Sequence, residues 1–427
     1  MIRWLYSCLM WLAQPLLKRK LQRRSQKEPG YGQCLDERFG FYAHLLPAHD
    51  GPTVWLHAVS LGETRAAAVL VAALREQLPQ MRLLLTHGTA TGRAEGLKLL
   101  REGDLQAWQP WDTPGAVKRF LKHFTPDIGL LMETEVWPNL VAGCQRLGVP
   151  LALVNARLSD KSLRQARRLA WLARPAFAGL TAVWAQTQQD ADRLQSLGAK
   201  VKGVLGNLKF DAAPNTAQLT LGQQWRAELA RPVVMFASSR EGEELALLEK
   251  LNRAPGAAAP VQWLIVPRHP QRFDEVASLI ESLGFAVQRR SSWGQGGPAR
   301  VAATSPVIWL GDSLGEMALY YGLADVALLG GSFEPLGGQN LIEAAACGCP
   351  VVMGPHTFNF LEAAEQALAA GAAIRVADME QAIAEASALC SERNQLQIAG
   401  QAANFFARSH QGAAKSLANA LMSFLPN

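Results

Sequence analysis

Three glutamates follow directly on apolar, strand-like runs, which places carboxylates where the strands of a sheet end. Glu63 ends the segment HAVSLGE, and Glu133 and Glu135 lie in METEVWPN (132–139). A carboxylate at the end of a buried strand is costly unless it has a task, and one such task is to take the proton of an attacking hydroxyl. Ser60 and Glu63 also fit the S-x-x-E capping box, and spacing alone favours that structural role. Glu63 therefore carries two competing hypotheses, helix cap and general base.

The segment LLGGSFEPLGGQNLIEAAACGCPVVMG (328–354) combines glycines with a predicted helix start. A strand is predicted to end at Gly330–Gly331, a loop to run through Gly337–Gly338, and a helix to begin near Asn340. Backbone N–H groups that are bared by glycines and aimed by a helix N-terminus suit an anion. Glu343, in the first helical turn, can accept hydrogen bonds from sugar hydroxyls. An ordinary strand–turn–helix, with Glu343 favouring the helix dipole, explains the composition equally well.

Two further loops favour an anionic ligand. Arg268 lies in PRHP, between a predicted strand and a predicted helix, and the fork of an arginine binds two oxygens of a phosphate or carboxylate. In GDSLGE, Ser313 and Glu316 fit a second capping box, while the backbone from Leu314 to Glu316 can line a base or ribose pocket. Lys209, in GNLKFD, adds a cation near the carboxylates of the first half.

Other chemistries lack their sequence signatures. No G-x-G-x-x-G follows a predicted strand and no G-x-x-x-x-G-K-[ST] occurs, which disfavours nicotinamide, flavin and P-loop enzymes. Asp190 and Asp192 match the D-x-D pattern of metal-dependent sugar-nucleotide enzymes, but their segment is typical of a solvated helix. The six cysteines are scattered, which indicates reduced thiols, and Cys347 and Cys349 are interpreted as small buried side chains. We therefore predict no metal and no cofactor.

The net charge of +6 lies in one segment. Residues 1–30 carry seven Lys and Arg against one Glu, so residues 31–427 hold 35 of each sign and are neutral overall. A neutral body lacks the electrostatic footprint of a nucleic-acid-binding protein. A basic segment next to an apolar one suits an anionic membrane surface. We predict anionic membrane lipids, and no nucleic acid, as partners.

The apolar stretch at 4–17 (WLYSCLMWLAQPLL) is shorter than the ~20 residues of a spanning helix, and most of the nearby positive charge follows it. This order differs from that of a secretory signal peptide, and Trp and Tyr favour the membrane interface. We interpret residues 1–27 as an uncleaved anchor, either shallowly inserted or barely spanning, with the positive cluster on the cytoplasmic side. The alternative is an ordinary amphipathic helix docked on the body.

From residue 51 onward, strands, turns and helices alternate, which predicts parallel sheets with helices on both faces. The alternation restarts after a polar interval near 211–218. We predict an α/β protein with an anchor (1–27), an N-terminal domain (28–212) and a C-terminal domain (213–427) whose last helix can pack back on the first. Two doubly wound, Rossmann-like domains facing across a cleft place a ligand at the carboxyl ends of both sheets. The apolar runs that we interpret as strands are 53–59, 82–87, 128–133, 150–156, 182–187, 232–238, 261–267, 285–288, 306–311, 325–331 and 350–354.

A known family carries these motifs in the same order. The chain resembles the bacterial 3-deoxy-D-manno-octulosonic acid (Kdo) transferases of lipopolysaccharide synthesis in HAVSLGE, METEVWPN, NARLSDKS, GNLKFD, PRHPQRF, GDSLGE and GGSFEPLGGQNLIEAAA. The resemblance implies a GT-B glycosyltransferase fold and an inverting, metal-independent mechanism. It implies CMP-Kdo as donor and a tetraacylated lipid A precursor (lipid IVA) as acceptor, at the cytoplasmic face of the bacterial inner membrane.

The resemblance also assigns roles to individual residues. The base of the family matches Glu63, and its two positions that stabilise the transition state match Glu133 and Lys209. Its CMP contacts match Pro267, Arg268, Leu314, Gly315, Glu316, Asn340, Leu341, Ile342 and Glu343. Because a helix N-terminus favours an ionised carboxylate, we expect Glu63 to be ready as a base at neutral pH.

Two other functions stay open on the sequence alone. One is another GT-B enzyme, such as a nucleotide-sugar epimerase, which needs no access to lipid and leaves the anchor unexplained. The other is a membrane-tethered nucleotide-binding protein without turnover, which leaves Glu63 and Glu133 without a task.

Overall fold

The chain forms two compact units. The computed structural model describes residues 2–43, 46–253, 261–299 and 307–425. The first unit comprises Met1–Ala212 and Gln411–Asn427, and the second comprises Ala213–His410. One division between the units falls after Ala212, and the last helix belongs to the first unit rather than to the second.

The first unit is built on a seven-stranded parallel sheet. Its strands are β1 Thr53–His57, β2 Arg82–His87, β3 Leu105–Trp108, β4 Ile128–Met132, β5 Leu151–Ala156, β6 Ala182–Ala185 and β7 Val201–Val204. They lie in the order β3-β2-β1-β4-β5-β6-β7. All strands except β7 are buried throughout, which is why their sequences are continuous apolar runs. The order reverses between β1 and β4, and such a switch point leaves a crevice at the carboxyl ends of the strands.

Helices cover both faces of this sheet. They are α1 Ile2–Ser25, α2 Leu61–Gln77, α3 Ala90–Leu97, α4 Pro114–Phe124, α5 Pro138–Leu147, α6 Asp160–Arg168, α7 Ala170–Ala178 and α8 Gln188–Ser196. One face packs against α4, α5 and α7, with Phe120 and Leu140 in its core. The opposite face packs against α2, whose Leu70 and Leu74 have no exposed surface. Successive strand residues thus point to different cores, as the two-residue period of a strand requires.

The second unit repeats the plan, also with a seven-stranded parallel sheet. Its strands are β8 Val233–Ser239, β9 Gln262–Pro267, β10 Ala286–Arg289, β11 Val307–Leu310, β12 Val326–Leu329, β13 Val351–Met353 and β14 Ala373–Arg375, in the order β10-β11-β9-β8-β12-β13-β14. Its helices are α9 Thr216–Ala227, α10 Glu243–Arg253, α11 Phe273–Ser282, α12 Met317–Leu323, α13 Leu341–Ala346, α14 Leu361–Ala369, α15 Met379–Ser391 and α16 Arg393–Ser409. The switch point lies between β8 and β12. Pro306, the first residue of the predicted run 306–311, lies outside the described residues.

The last helix, α17 Ala413–Leu421, returns to the first unit. Leu417 and Leu421 join the core that α2 covers. Both carboxylate oxygens of Asp211 accept backbone N–H groups at the start of this helix, from Gly412 and from Ala414, each at 2.5 Å. Asp211 thereby ties the end of the chain to the segment that carries Lys209.

Helix α1 packs on the first unit through its polar side chains. The Ser7 hydroxyl donates to Asn139 Oδ1 at 3.0 Å, and Tyr6 is hydrogen-bonded to the buried carboxylate of Asp112. The opposite side of the helix carries large apolar side chains that are more than half exposed, namely Trp4, Leu5, Leu9, Trp11, Leu12 and Leu16. Over the described residues, none of the helices has both the length and the hydropathy required to traverse a bilayer.

Candidate active site

Glu63 lies in the first turn of α2, directly after β1 and beside the switch point of the first sheet. The Ser60 hydroxyl accepts the Glu63 N–H at 3.3 Å and donates to Glu63 Oε1 at 2.9 Å. Glu63 Oε2 accepts the backbone N–H of Val59 at 2.8 Å. The Ser60 half of the predicted capping box is therefore present, while the Glu63 carboxylate binds the N–H of Val59 instead of that of the N-cap Ser60. These bonds hold the Glu63 carboxylate in one orientation at the end of β1, which serves a catalytic base as well as a helix cap.

The pKa of Glu63 lies above the ordinary value of a glutamate. Burial, together with the weaker effect of the Glu133 and Glu135 charges, raises its pKa to about 7, against hydrogen bonds from Val59 and Ser60 that lower it. A pKa of about 7 leaves part of the Glu63 population ionised at neutral pH, so its readiness as a base stays a prediction. Loss of water around the carboxylate outweighs the helix N-terminus, because solvation of a charge is the larger energy. A carboxylate poised near pH 7 is well suited to proton abstraction.

Val59, whose N–H binds Glu63, is fixed in turn by hydrogen bonds to its carbonyl. Its carbonyl accepts the Thr89 hydroxyl at 2.8 Å and the Thr89 N–H at 3.0 Å. The buried guanidinium of Arg38 donates to the carbonyl of Gly88 at 3.0 Å, fixing the loop that carries Thr89. Sequence reasoning missed these supports. The segment ERFGFY (37–42), which contains Arg38, was the sequence feature that could have indicated them.

Glu133 and Lys209 form an ion pair at the same edge of the sheet. Lys209 Nζ lies 3.2 Å from Glu133 Oε1, and both side chains are less than one-fifth exposed. Glu133 follows β4, the neighbour of β1, and has a left-handed backbone with φ 57°. Such a conformation costs a non-glycine residue about 1–2 kcal/mol, so the surrounding fold must impose it. The structure thus brings Glu63, Glu133 and Lys209 together at the β1/β4 switch point.

Asn155 positions the loop that carries Lys209. It lies near the end of β5 beside Glu133, also with a left-handed backbone at φ 49°, and its Oδ1 accepts the Leu208 N–H at 3.1 Å. Asn207 then accepts the Lys209 N–H at 3.0 Å through its own side chain. Two asparagines therefore fix the short 3₁₀ helix Leu208–Asp211 against the ends of the central strands.

Glu135 adds a third carboxylate to this edge. Its Oε2 accepts the indole N–H of Trp137 at 2.9 Å, and burial and the charge of Glu133 raise its pKa. Glu63 and Glu135 thus share the same cause of a raised pKa, whereas Glu133 has a direct cationic partner. Environments that differ in this way let neighbouring carboxylates take different roles.

In the second unit, a buried glutamate that sequence reasoning missed organises the glycine loop. Glu243 is 1% exposed and accepts backbone N–H groups from Arg240, Gly331 and Phe333 at 2.8–3.1 Å. Gly330 packs so closely that a Cβ there would lie 2.1 Å from the carbonyl oxygen of Ser238. The adjacent glutamates Glu243 and Glu244 follow a predicted strand, in SSREGEE (238–244). This was the sequence feature that could have indicated a carboxylate at the glycine loop.

The glycine loop differs from the predicted cradle of bare N–H groups. The N–H of Gly331 goes to Glu243, that of Gly338 to the Gly331 carbonyl at 2.7 Å, and that of Gln339 to the Gly330 carbonyl at 3.0 Å. The loop closes on itself, since Gly331 and Gly338 are buried and their N–H groups need partners within the protein. Its side chains rather than these N–H groups are therefore available to an anion.

The cations of this edge lie next to the loop. Pro267 is the buried last residue of β9, and the following Arg268 is exposed and donates from Nε to Gln339 Oε1 at 3.1 Å. Burial and the nearby Arg240 and Arg268 lower the pKa of His269. This local positive potential suits a phosphate or carboxylate.

Asn340 caps α13, with its Oδ1 accepting the Ile342 N–H at 3.2 Å. The side chains of Leu341 and Ile342 are buried in the core, so their contact with a nucleotide would use the backbone. Glu343 lies in the first turn of α13, as predicted.

The second predicted capping box was wrong. Helix α12 begins at Met317, and Glu316, not Ser313, occupies the N-cap position without a side-chain cap. The reason is Gly315, whose left-handed φ of 80° interrupts the helical path. Glu316 instead accepts from the Ser313 hydroxyl and pairs with Arg290 Nη2 at 2.9 Å, while Leu314 is 72% exposed. The loops after β9, β11 and β12 all lie at the carboxyl edge of the second sheet.

The D-x-D pair serves the structure of α8. Asp190 Oδ1 accepts the Leu158 N–H at 2.7 Å, and Asp192 accepts an amide N–H of Gln188 at 2.8 Å. Across the described part of the chain, no three His, Cys, Asp or Glu side chains are grouped as a metal would require.

Comparison with known proteins identifies the family. Residues 33–212 match the family model described as 3-deoxy-D-manno-octulosonic-acid transferase (kdotransferase). A 3-deoxy-D-manno-octulosonic acid transferase of Bordetella pertussis is 47% identical over 433 residues, which cover 99% of each chain.

Solved structures with less than 25% identity share the fold. A glycosyltransferase from Rickettsia africae matches with a TM-score of 0.57 at 14% identity, covering 88% of this chain and 98% of the other. A UDP-GlcNAc 2-epimerase from Neisseria meningitidis matches with a TM-score of 0.58 at 15% identity, covering 87% and 100%. Since a transferase and an epimerase fit about equally well, the GT-B fold does not choose between them. The full-length identity does, and it places the chain in the 3-deoxy-D-manno-octulosonic acid transferase family of glycosyltransferases.

Proposed function

We propose that this protein transfers Kdo from CMP-Kdo to the primary hydroxyl of a tetraacylated lipid A precursor, with Glu63 as the general base. The observation that carries the proposal is a carboxylate with a pKa of about 7, held rigidly at a switch point beside the Glu133–Lys209 pair.

The chemistry requires one base and a good leaving group. Glu63 takes the proton of the acceptor hydroxyl while its oxygen attacks the anomeric carbon of Kdo. The bond from that carbon to the phosphate oxygen breaks, CMP leaves with the electron pair, and the configuration inverts. Lys209, held 3.2 Å from Glu133, supplies a fixed positive charge for the charge that develops during the transfer.

The donor is proposed to bind at the carboxyl edge of the second sheet. Arg268, oriented by Gln339, presents its fork to the phosphate or carboxylate of CMP-Kdo. The loop from Leu314 to Glu316 and the start of α13 are proposed to contact the nucleotide, as the family resemblance implies. Glu343 then lies within reach of sugar hydroxyls.

We further propose that the protein works at the cytoplasmic face of the inner membrane, with α1 in the interface. The exposed apolar side of α1, which includes Trp4, Trp11 and Leu16, supports this location, as do the seven cations of residues 1–30. A helix that lies in the interface buries such a side without crossing the bilayer. Because the acceptor is a lipid, this tether raises its effective concentration at the site.

The direct test is product analysis. Purified full-length protein is incubated with CMP-Kdo and the tetraacylated precursor, and the lipid products are weighed by mass spectrometry. A mass gain of one or more Kdo units, with release of CMP, is expected. Conversion of a sugar nucleotide without lipid product would indicate an epimerase, and binding of CMP-Kdo without turnover would indicate a non-catalytic protein.

Glu63→Gln is expected to lower turnover by at least ~10²-fold, because glutamine cannot accept the proton. The amide oxygen that replaces a carboxylate oxygen keeps one of the two capping bonds, so thermal stability and CMP-Kdo affinity should stay close to those of the native protein. Glu76→Gln, on the exposed side of the same helix, is the control for the loss of charge. Retained activity with a lowered melting temperature would leave Glu63 a cap and make Glu133 the next candidate base.

The rate is expected to depend on pH through Glu63. Its pKa of about 7 means that the protonated, inactive form dominates at lower pH. The value of kcat/KM should therefore rise with pH up to about 7, fall roughly tenfold for each pH unit below it, and level off above it. A profile that is flat from about pH 5 to about pH 8 would contradict the assignment, since a group with this pKa titrates inside that range.

Arg268→Ala is expected to weaken CMP-Kdo binding about tenfold to a hundredfold, the usual loss for a charge-assisted contact. Isothermal titration calorimetry measures the dissociation constant. Arg393→Ala removes an exposed cation of the same unit and should leave it unchanged. An unaltered donor affinity in Arg268→Ala would remove this residue from the donor site.

Leu12→Glu/Leu16→Glu is expected to abolish co-sedimentation with phospholipid vesicles, since it places charges on the apolar side of α1 and leaves the packed side intact. Ile398→Glu/Phe405→Glu makes the same change on exposed apolar positions of the second unit. That control should sediment like the native protein. Equal losses in both variants would mean that α1 has no special role at the membrane.

A further inference from the structure

A pocket on the flank of the first unit lies outside the catalytic edge. It has a cavity of about 110 Å³ between α4, α5 and the start of α1. Gly143 brings the two helices together, because a Cβ there would lie 2.5 Å from Val117 Cγ1. The walls are mostly apolar and small, and the charged groups are all cationic. The lining comprises Arg3, Pro114, Val117, Lys118, Asn139, Ala142, Gly143, Arg146 and Leu147.

Three cations converge on this pocket from three helices: Arg3, Lys118 and Arg146. None of them forms a salt bridge with a carboxylate in the ranges that the structure covers. The neighbouring charge of Asp112 interacts with Arg3, but its carboxylate oxygens already accept the N–H groups of Asn139 and Leu140. Three like charges around one cavity repel each other, and a bound anion would relieve that repulsion.

The surroundings of the pocket indicate where the anion comes from. Arg3 is followed by Trp4 and Leu5, which are 70% and 54% exposed, and Arg146 is followed by the exposed Leu147. Cations beside outward apolar side chains fit a ligand whose charged group continues into hydrocarbon. A soluble phosphate compound would leave this apolar rim without a partner.

We propose that this pocket binds the headgroup phosphate of an anionic phospholipid, whose acyl chains lie along the exposed side of α1. This inference rests on the membrane location proposed above and is independent of the donor and of sugar transfer. Arg3, Lys118 and Arg146 would each donate to phosphate oxygens, so the pocket recognises a lipid rather than a general negative surface.

The test uses the full-length protein and the double variant Lys118→Ala/Arg146→Ala, whose side chains are exposed and lie outside the catalytic machinery. Binding is measured by co-sedimentation with vesicles of phosphatidylcholine alone and of phosphatidylcholine mixed with phosphatidylglycerol. The variant should lose roughly tenfold to thirtyfold in affinity for the mixed vesicles, since each cation near an anionic surface contributes about fivefold. Its binding to pure phosphatidylcholine should match that of the native protein.

Lys200→Ala/Lys202→Ala is the matched control, because it removes two exposed cations from the β7 edge of the same unit. It should change affinity for the mixed vesicles by less than about threefold, since exposed charges away from the surface are screened. Equal losses of vesicle affinity in the two double variants would show that overall positive charge is sufficient for binding, and would overturn the proposed lipid site.

Two further outcomes would overturn the assignment of the ligand. If inorganic phosphate stabilises the native protein and not Lys118→Ala/Arg146→Ala, while both bind vesicles equally, the pocket takes a soluble phosphate. If the variant keeps vesicle affinity but raises KM for the lipid acceptor, the pocket holds a phosphate of the acceptor. A native protein that binds neither kind of vesicle would overturn the membrane location together with the pocket, whatever the transferase assay shows.

Discussion

The reversal of strand order in each parallel sheet is the constraint on which the rest of the structure depends. Between β1 and β4, and again between β8 and β12, the connections that follow the two strands run in opposite directions. A crevice therefore opens between the carboxyl ends of those strands. Glu63 follows β1 and Glu133 follows β4, so the carboxylates meet because of topology. In the second unit, Ser238 and Gly330 flank the corresponding point, and Glu243 fills the space behind them.

Backbone strain and burial coincide at these strand ends. Glu133, Asn155 and Ser238 all have left-handed backbones, each at the carboxyl end of a buried strand. Hydrogen bonds from neighbouring loops over-determine these conformations, as the Asn155 contact with Leu208 illustrates. The same burial raises the pKa of Glu63 to about 7. The geometry that costs stability therefore also prepares the base.

Helix α1 inverts the usual pattern of a surface helix. Its polar side chains, such as Tyr6 and Ser7, face the body and satisfy Asp112 and Asn139, while its tryptophans and leucines face outward. An outward apolar side is unfavourable in water, so it points to a further contact. The cationic pocket beside it, between α4 and α5, is consistent with a lipid as that contact.

The sequence predicted most of this molecule where the signal was local. Central strands were found because burial on both faces demands continuous apolar runs, and the Ser60–Glu63 box was found because four residues define it. The strands β3, β7 and β14 were not predicted. All three are short strands at the edges of the sheets and β7 is partly exposed, so their sequences lack a long apolar run. The motif resemblance identified the family, which full-length identity then established.

Tertiary structure decided what depends on distant neighbours. Helix α17 returns to the first unit because Asp211, which precedes Gly412 by 201 residues, accepts its first N–H groups. The glycine loop closes on itself because Glu243 and the carbonyls of Gly330 and Gly331 accept its N–H groups. Glu316 pairs with Arg290 instead of capping α12, because Gly315 turns the chain away. Above all, the Ser60 cap on the Glu63 N–H follows from spacing, yet the pKa of Glu63 is set by desolvation and by Glu133 and Glu135, and neither effect exists until the chain has folded around them.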